Sequence, residues 1–565
     1  MAHGHTTLDE ADKQPIGAKL WPAFRLLGAL AGVGLLLIAI GLLLEGDGGM
    51  RRFFFAYLIG YTFVLGLTVG SVALVILTHL FRAGWVVAVR RVPETFAANF
   101  WLVGLLGLPI LVASFMGSAP LYPWSMDKAE AERRLHEAEG VVHAYLHGVD
   151  HPAAPVEHEG EHDDAGEGAQ DAEASIRSGE THYVTAGLSA PPRAAAKAES
   201  DQPGASAKKT DGYHQAEALM KAKAGMGYPE DREDALKVQE AFYWTLLGYM
   251  LDYKAYGGQL DGNNQVPIDE KTGKGKGFIW YTPMLFALRL VVYFAVLSLI
   301  GWYYWTRSVQ QDETGDAGLT TRREWWAPLS VAAFALITTF MAFDLLMSLD
   351  PAWYSTMFGV IFFANSFTAG IAMTILVCMV LQKKGYLKTV NTEHYHDLGK
   401  LLFAFVFFWG YVSFSQFMLI WYASLPETTY WFEIHGMTTV KTAPQYGSGW
   451  TYISLLMLFG HLLVPFAFLL SRHVKRNLTM LAFAATWMLL MVYLDFYWYA
   501  MPFFDVGSVA VTFGLPEIGA ALLLMSVVLA AFVRRYAKHA PLAHGDPRLH
   551  ETTALDTNVW APIHH

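Results

Sequence analysis

The sequence predicts an all-α integral membrane protein. Ten transmembrane helices are expected, as two pseudo-symmetric four-helix bundles (spans 2–5 and 6–9) with two flanking helices. Three observations lead there. The 565 residues are 54% apolar and only 16% charged, with 18 Trp, 27 Tyr and 36 Phe, whereas soluble domains run near a quarter charged. The mean hydropathy is positive, at +0.29. The apolar residues also gather in ten windows, each close to the ~20 residues a helix needs to cross a bilayer. The formal charge of −10 argues against nucleic acid as a partner. A single cysteine, Cys378, excludes an internal disulfide, a Cys-ligated iron–sulfur cluster and a four-cysteine zinc site. No Cys-x-x-Cys-His run is present to attach a c-type haem.

After a tail of residues 1–21, the first three windows are 22–44, 53–81 and 96–116. The next four are 278–305, 327–349, 357–381 and 398–422, and the last three are 450–470, 478–497 and 509–532. The first window is too long for a cleaved signal and reads as an anchor that stays. Basic residues in short loops set the direction of insertion. Arg82, Arg90 and Arg91 lie in the 2–3 loop, Arg307, Arg322 and Arg323 in the 4–5 loop, and Lys383, Lys384 and Lys388 in the 6–7 loop. Arg472, Lys475 and Arg476 follow in the 8–9 loop, and Arg534 and Arg535 open the tail, residues 534–565. The opposite loops carry only Arg51, Arg52 and Lys441. Both termini are therefore expected in the cytoplasm of a bacterium, with the chain multi-pass in its inner (cytoplasmic) membrane.

That orientation places residues 122–277 outside as a periplasmic insertion. Residues 125–147 read as an amphipathic helix capped by Ser125, and residues 229–253 as another bearing Phe242, Trp244, Leu247 and Met250. Between them, residues 151–207 are rich in Ala, Glu, Gly and His and poor in apolar side chains, the composition of a disordered segment. Its region holds His136, His143, His147, His151, His158 and His162, read mainly as a solvated face, with metal binding the minor alternative.

Spans 2–5 and 6–9 read as two copies of one unit. Span 2 ends Arg82-Ala-Gly84-Trp85 and span 6 ends Lys383-Lys-Gly385-Tyr386. Glu94 and Asp397 each precede the following span, where an acid suits a helix N-terminus. Asp344 is followed after six residues by Pro351, and Asp495 after six by Pro502.

A charge inside a span costs about 2.5–3.5 kcal/mol on insertion scales, so each needs a reason. Arg289 is expected well inside the fourth span, and Asp344 about two turns from the outer end of the fifth. Neighbouring antiparallel spans can pair them. In the second unit His461 takes the place of Arg289, and Asp495 that of Asp344. Glu517 falls in the outer half of the last span. His79, Glu94, Asp397 and Lys400 lie near the cytoplasmic face, and Asp350 near the outer one. Between the levels are Asn365, Ser366, Thr368, Ser413, Ser415 and Gln416. The plain alternative is helix glue: buried pairs that fix packing, and caps at the interface. A neutral His near mid-membrane can also relay a proton. These residues form the candidate proton path. Haem is not expected, since His79 and His461 differ in depth by roughly 10 Å at 1.5 Å per residue. No metal or covalently bound cofactor is expected on this chain.

Several runs resemble those of a known family. They are Asp344-Leu-Leu-Met-Ser-Leu-Asp350-Pro-Ala-Trp-Tyr-Ser-Thr-Met-Phe-Gly359, Glu393-His-Tyr-His-Asp-Leu-Gly-Lys400, Phe414-Ser-Gln-Phe-Met-Leu-Ile-Trp-Tyr422 with Leu425-Pro-Glu427, and Gly460-His-Leu-Leu-Val-Pro465. Tyr281-Thr-Pro283 ahead of Arg289 is in the same character. The runs are similar to those of alternative complex III, in its second NrfD-like, polysulfide-reductase-type membrane subunit. The resemblance implies a subunit of a respiratory quinol:cytochrome c (or similar acceptor) oxidoreductase. It implies a sister NrfD-like membrane subunit, a periplasmic iron–sulfur subunit and a multihaem cytochrome c as partners. Haem and iron–sulfur clusters would then sit in those partners, and the chain alone would not be catalytic. The sister is the better candidate for the quinol site. Two other readings remain: a quinone-binding site in this chain, with His461 or Asp344 as proton acceptor, and a secondary transporter built on parallel repeats.

Overall fold

The computed structural model describes residues 10–116, 121–125, 133–134, 137–138, 141, 235–244, 282–351, 353–438, 445–504, 506 and 510–553. Among them, nine helices are long and apolar enough to cross a membrane, and a bent pair makes a tenth when taken as one span. No strand occurs among the described residues. The helices are α1 Trp21–Glu45, α2 Gly49–Leu80, the bent pair α3 Arg91–Ala98 and α4 Phe100–Phe115, α5 Pro283–Thr314 and α6 Gly318–Leu345. They continue as α7 Phe358–Lys383, α8 Thr392–Ala423, the short α9 Pro426–Ile434, α10 Gly449–Leu470, α11 Leu478–Ala500 and α12 Leu515–Tyr536. The expected insertion helices and its histidines lie mostly or wholly outside the described residues. Ser125 donates its hydroxyl back to the Tyr122 carbonyl at 2.7 Å, and the N–H groups it is expected to cap lie outside the described residues.

Both described ends meet at one face. Gly17 donates its N–H to the Ala537 carbonyl at 2.9 Å, and Leu542 donates to the Asp12 carbonyl at 3.3 Å. This face is called the terminal face, and the other the insertion face. Helices α2 and α7 form the buried axis of the molecule. Helix α2 packs on α3 and α6, and α7 packs on α8 and α11; α1 lies against α12 at the rim. The axis helices touch backbone to backbone at paired glycines. A Cβ on Gly70 would lie 1.9 Å from the Ser366 carbonyl oxygen, and one on Gly370 2.6 Å from the Gly70 carbonyl carbon. Small residues let helices approach this closely where lipid offers no hydrophobic drive for association. The buried hydroxyls of α2 stay satisfied within the helix: Thr62, Thr68, Ser71 and Thr78 each donate to the carbonyl four residues back.

Three differences from the sequence expectation have local causes. Helix α5 runs on to Thr314, where Gly315 closes it at φ +67°. Residues 306–314 are polar but helix-competent, and hydropathy marks where the bilayer ends rather than where the helix ends. The third span begins earlier than expected, at Arg91, and bends by 41° at Asn99. There Asn99 donates its side-chain amide to the Thr95 carbonyl (3.0 Å) and accepts from Arg535 Nε (2.8 Å), which replaces part of the interrupted ladder. Last, the described residues of the loops 350–355 and 501–507, at the ends of spans 5 and 9, turn mostly inward. Asp350, Trp353, Met501, Phe503 and Val506 are buried, and of the described residues Tyr354 is the one strongly exposed, at 73%. Helix α9 lies over the first loop: Trp431 stacks on Trp353 at 4.3 Å, and the Tyr430 hydroxyl donates to Asp350.

Candidate functional site

The polar side chains of the interior fall into three centres. The first joins α5 and α6. Arg289 donates from Nε and Nη2 to both oxygens of Asp344, at 2.7 and 2.8 Å, and Tyr293 adds its hydroxyl at 2.8 Å. Asp344 is fully buried, and the bidentate fork pairs its charge where it has no water. Tyr293 is four residues after Arg289, on the same helix face. Because α5 begins at Pro283 and α6 ends at Leu345, the pair sits near the helix ends at the insertion face. That is shallower than the sequence suggests for Arg289.

The second centre, in α7, α8, α10 and α11, has no such cation. Asp495 Oδ2 accepts from Asn365 Nδ2 at 2.8 Å and from the Trp409 indole at 3.1 Å. Its Oδ1, the Asn365 Oδ1 and the Ser366 hydroxyl are buried with no hydrogen-bond partner among the described residues. His461 does not touch Asp495. Trp409 stands between them, with its ring 3.8 Å from His461 and 8° from parallel. Both ring nitrogens of His461 are buried and lack a partner among the described residues. His461 belongs to a π-helical stretch, Met457–Leu463, inside α10. Such a stretch inserts an extra residue per turn and is frequent at functional sites. Its Gly460 carbonyl is taken by Trp487 Nε1 at 2.7 Å. Along α8, Ser413 and Gln416 follow Trp409 at positions +4 and +7, one helix face. The Ser413 hydroxyl is unpartnered, and Gln416 accepts from Ser355 at 2.7 Å near the insertion face.

The third centre closes the terminal face of the first bundle. Glu94 accepts from Arg90 at 2.8 Å and lies 3.7 and 3.8 Å from Arg91 and Arg323. Asp546, from the segment after α12, accepts from Arg90 at 2.7 Å and from Arg323 at 3.5 Å. Arg91 also pairs with Asp312. The neighbouring cations and the Arg548 N–H hold the Asp546 carboxyl down at about 2, against the pull of burial. His79 lies beside this cluster, its Nδ1 on the Val75 carbonyl and its ring 5.0 Å from Tyr304.

The remaining candidates separate from these centres. Glu517 is a cap and an ion-pair partner: it accepts from the Gly514 N–H at 2.8 Å and from Arg52 at 3.1 and 3.3 Å. That pairing, shared with Glu45, also neutralises one of the two arginines that the charge rule leaves on the wrong side. Arg51, the other, donates to the Phe503 carbonyl at 3.2 Å. Lys400 is not part of a buried path. Its side chain is 56% exposed and pairs with Asp397 one turn away at 2.5 Å. Asp350 belongs to the Tyr430 contact under α9. Sequence reading missed Trp409 as the bridge, Tyr293 as the second donor, and Asp546 with Arg323. The i, i+4 spacing to Arg289 could have flagged Tyr293; nothing local marks the others. Among the described residues no three His, Cys, Asp or Glu side chains gather as a metal site.

The fold and its buried polar centres define a multi-pass helical membrane protein. No known family model matches the chain, and no curated protein matches it.

Proposed function

We propose that the chain is a membrane subunit of a quinol-oxidising respiratory complex that reduces cytochrome c or a similar acceptor, and that it contributes a transmembrane proton path. The observation that carries this reading is the second centre. Among the described residues Asp495 meets no cation, and further polar groups lie on the helices around it. Trp409 stands between Asp495 and His461, donating to the one and stacking on the other, and Ser413 and Gln416 lie further along α8 toward the insertion face. Buried polar atoms are nearly always satisfied, so open atoms on Asp495, Asn365, Ser413 and His461 suit ordered water, the usual carrier of a relayed proton. The motif runs that resemble alternative complex III support the wider reading. They imply the sister membrane subunit, the periplasmic iron–sulfur subunit and the multihaem cytochrome c as partners, with this chain in the bacterial inner membrane. Two contact patterns agree with a repeat of two four-helix units: α2 with α3 and α6, and α7 with α8 and α11. Ends that meet at one face require an even number of crossings, which favours ten.

Purification of the native complex tests the assignment: multihaem and iron–sulfur subunits should travel with this chain. Within that complex, His461→Ala should leave assembly intact and lower proton release per electron. Normal turnover with normal proton release would remove the relay's central residue. A quinol site at His461 predicts instead a raised KM for quinol. The bend at Asn99 and the π-helical stretch are the breaks a secondary transporter would use; solute uptake by the chain alone in liposomes would favour that class.

A further inference from the structure

The segment after α12 does not trail away. Leu542 and Ala543 are buried, and Gly545 donates its N–H to Asp312 at 2.9 Å. A side chain at Gly545 would meet the Gln311 carbonyl oxygen at 2.2 Å. Further on, the Thr552 hydroxyl donates to the Gly84 and Trp85 carbonyls at 2.7 and 3.0 Å, tying the segment across the 2–3 loop. Between these anchors Asp546 enters the arginine cluster.

Asp546 is the acid that bridges two of the buried arginines there, while the tail's Arg548 pairs separately with Glu324. The bundle supplies Arg90, Arg91 and Arg323, with Glu94 and Asp312 as their acids. Asp546 brings the third carboxylate, with its side chain 1% exposed. Without it Arg90 and Arg323 lose a shared carboxylate and keep Glu94 as their acid, where buried charge is costly. Beside the cluster lies His79, 4% exposed, whose Nε2 has no partner among the described residues. On the second bundle's side of this face Arg476 pairs with Glu393, and Asp12 of the N-terminal segment accepts from the Thr389 N–H and hydroxyl at 3.0 and 2.9 Å.

We propose that residues 537–553 form a latch: a return segment, bolted by Asp546, that shuts the first bundle at the terminal face and keeps water from His79. The inference does not depend on what the protein conducts or oxidises. It is tested on the purified full chain in detergent, where both faces are accessible. Cys378→Ser removes the native thiol, and His79→Cys places a reporter under the latch. Labelling by a small charged methanethiosulfonate should be slow with the native tail. It should rise at least tenfold in Asp546→Asn and return to slow in Asp546→Glu. Thr552→Val frees the far anchor without touching the arginines and should also speed labelling, so it decides the matter if Asp546→Asn does not fold. Equal rates in the native-tail chain and the releasing variants overturn the latch. So does a reporter that already labels as fast as an exposed cysteine.

Discussion

Asp344 and Asp495 each precede a proline by the same spacing and are treated differently. Asp344 receives a bidentate arginine and a tyrosine; Asp495 receives an amide and an indole. The first is a closed ion pair, the second an acid with an open oxygen. Breaking a buried pair strands a charge at about 3–5 kcal/mol. Arg289→Ala and Asp344→Asn should therefore each impair assembly, read as loss of monodisperse protein in detergent. Replacing both with uncharged residues should restore it. If turnover recovers as well, the pair is packing alone; if it stays low, the pair has a further role. A second residue gives a pH prediction. His435 is buried after α9, stacked on Trp431 at 3.7 Å, with Nδ1 on the Trp431 carbonyl. Burial holds its pKa at about 3, against an ordinary value of about 6.5. The folded chain thus binds this proton less readily than the unfolded one. Its contribution is whole above pH ~6.5 and is lost progressively as pH falls toward 3. The unfolding midpoint should drop between pH 7.5 and 5, and drop less in His435→Phe; equal slopes would rule out His435 as the source.

Helix α10 owes its site to one irregularity. The π-helical stretch Met457–Leu463 turns His461 onto Trp409. Deleting one residue there, such as Leu458, should return the stretch to α-helix by removing the residue it accommodates, which changes the aim of His461. The helix would survive, but the stack would not. Trp409 fluorescence is hidden among 18 tryptophans, so the readout is proton release: it should fall as in His461→Ala while helicity by circular dichroism is kept. Unchanged proton release would mean the irregularity is incidental. The axis helices make the contrasting case. Their contact at Gly70 and Gly370 leaves no room for a methyl group. Gly70→Ala should lower thermal stability by about 1–3 kcal/mol through overpacking.

For the whole molecule, the balance of basic residues and the meeting of both ends predict an even number of crossings with the terminal face in the cytoplasm. A protease added to right-side-out vesicles should then cut within residues 151–207 and leave both termini intact. Protection of that stretch would reverse the orientation. For the proposed complex, cross-links from its iron–sulfur subunit are expected at the exposed Tyr354 rather than at the buried Asp350, Trp353, Met501 or Phe503.

The spans, their polar interruptions and the Arg289–Asp344 pairing were legible in the residues because each is local or joins adjacent helices. Hydropathy over some twenty residues marks a crossing whatever its neighbours are, and two opposite charges at like depth on consecutive spans have few other partners. Helix ends were less legible, as α5 shows, because polar residues can carry a helix past the bilayer. The tertiary structure alone decided what meets across the chain. Asn365 reaches Asp495 over a separation of 130 residues, and Arg90 reaches Asp546 over 456. It also decided that Glu517 is a cap, that Lys400 faces outward, and that Trp409 separates His461 from Asp495. A helix shows all its faces to the sequence equally; rotation and packing choose which face looks inward, and they depend on every other helix at once.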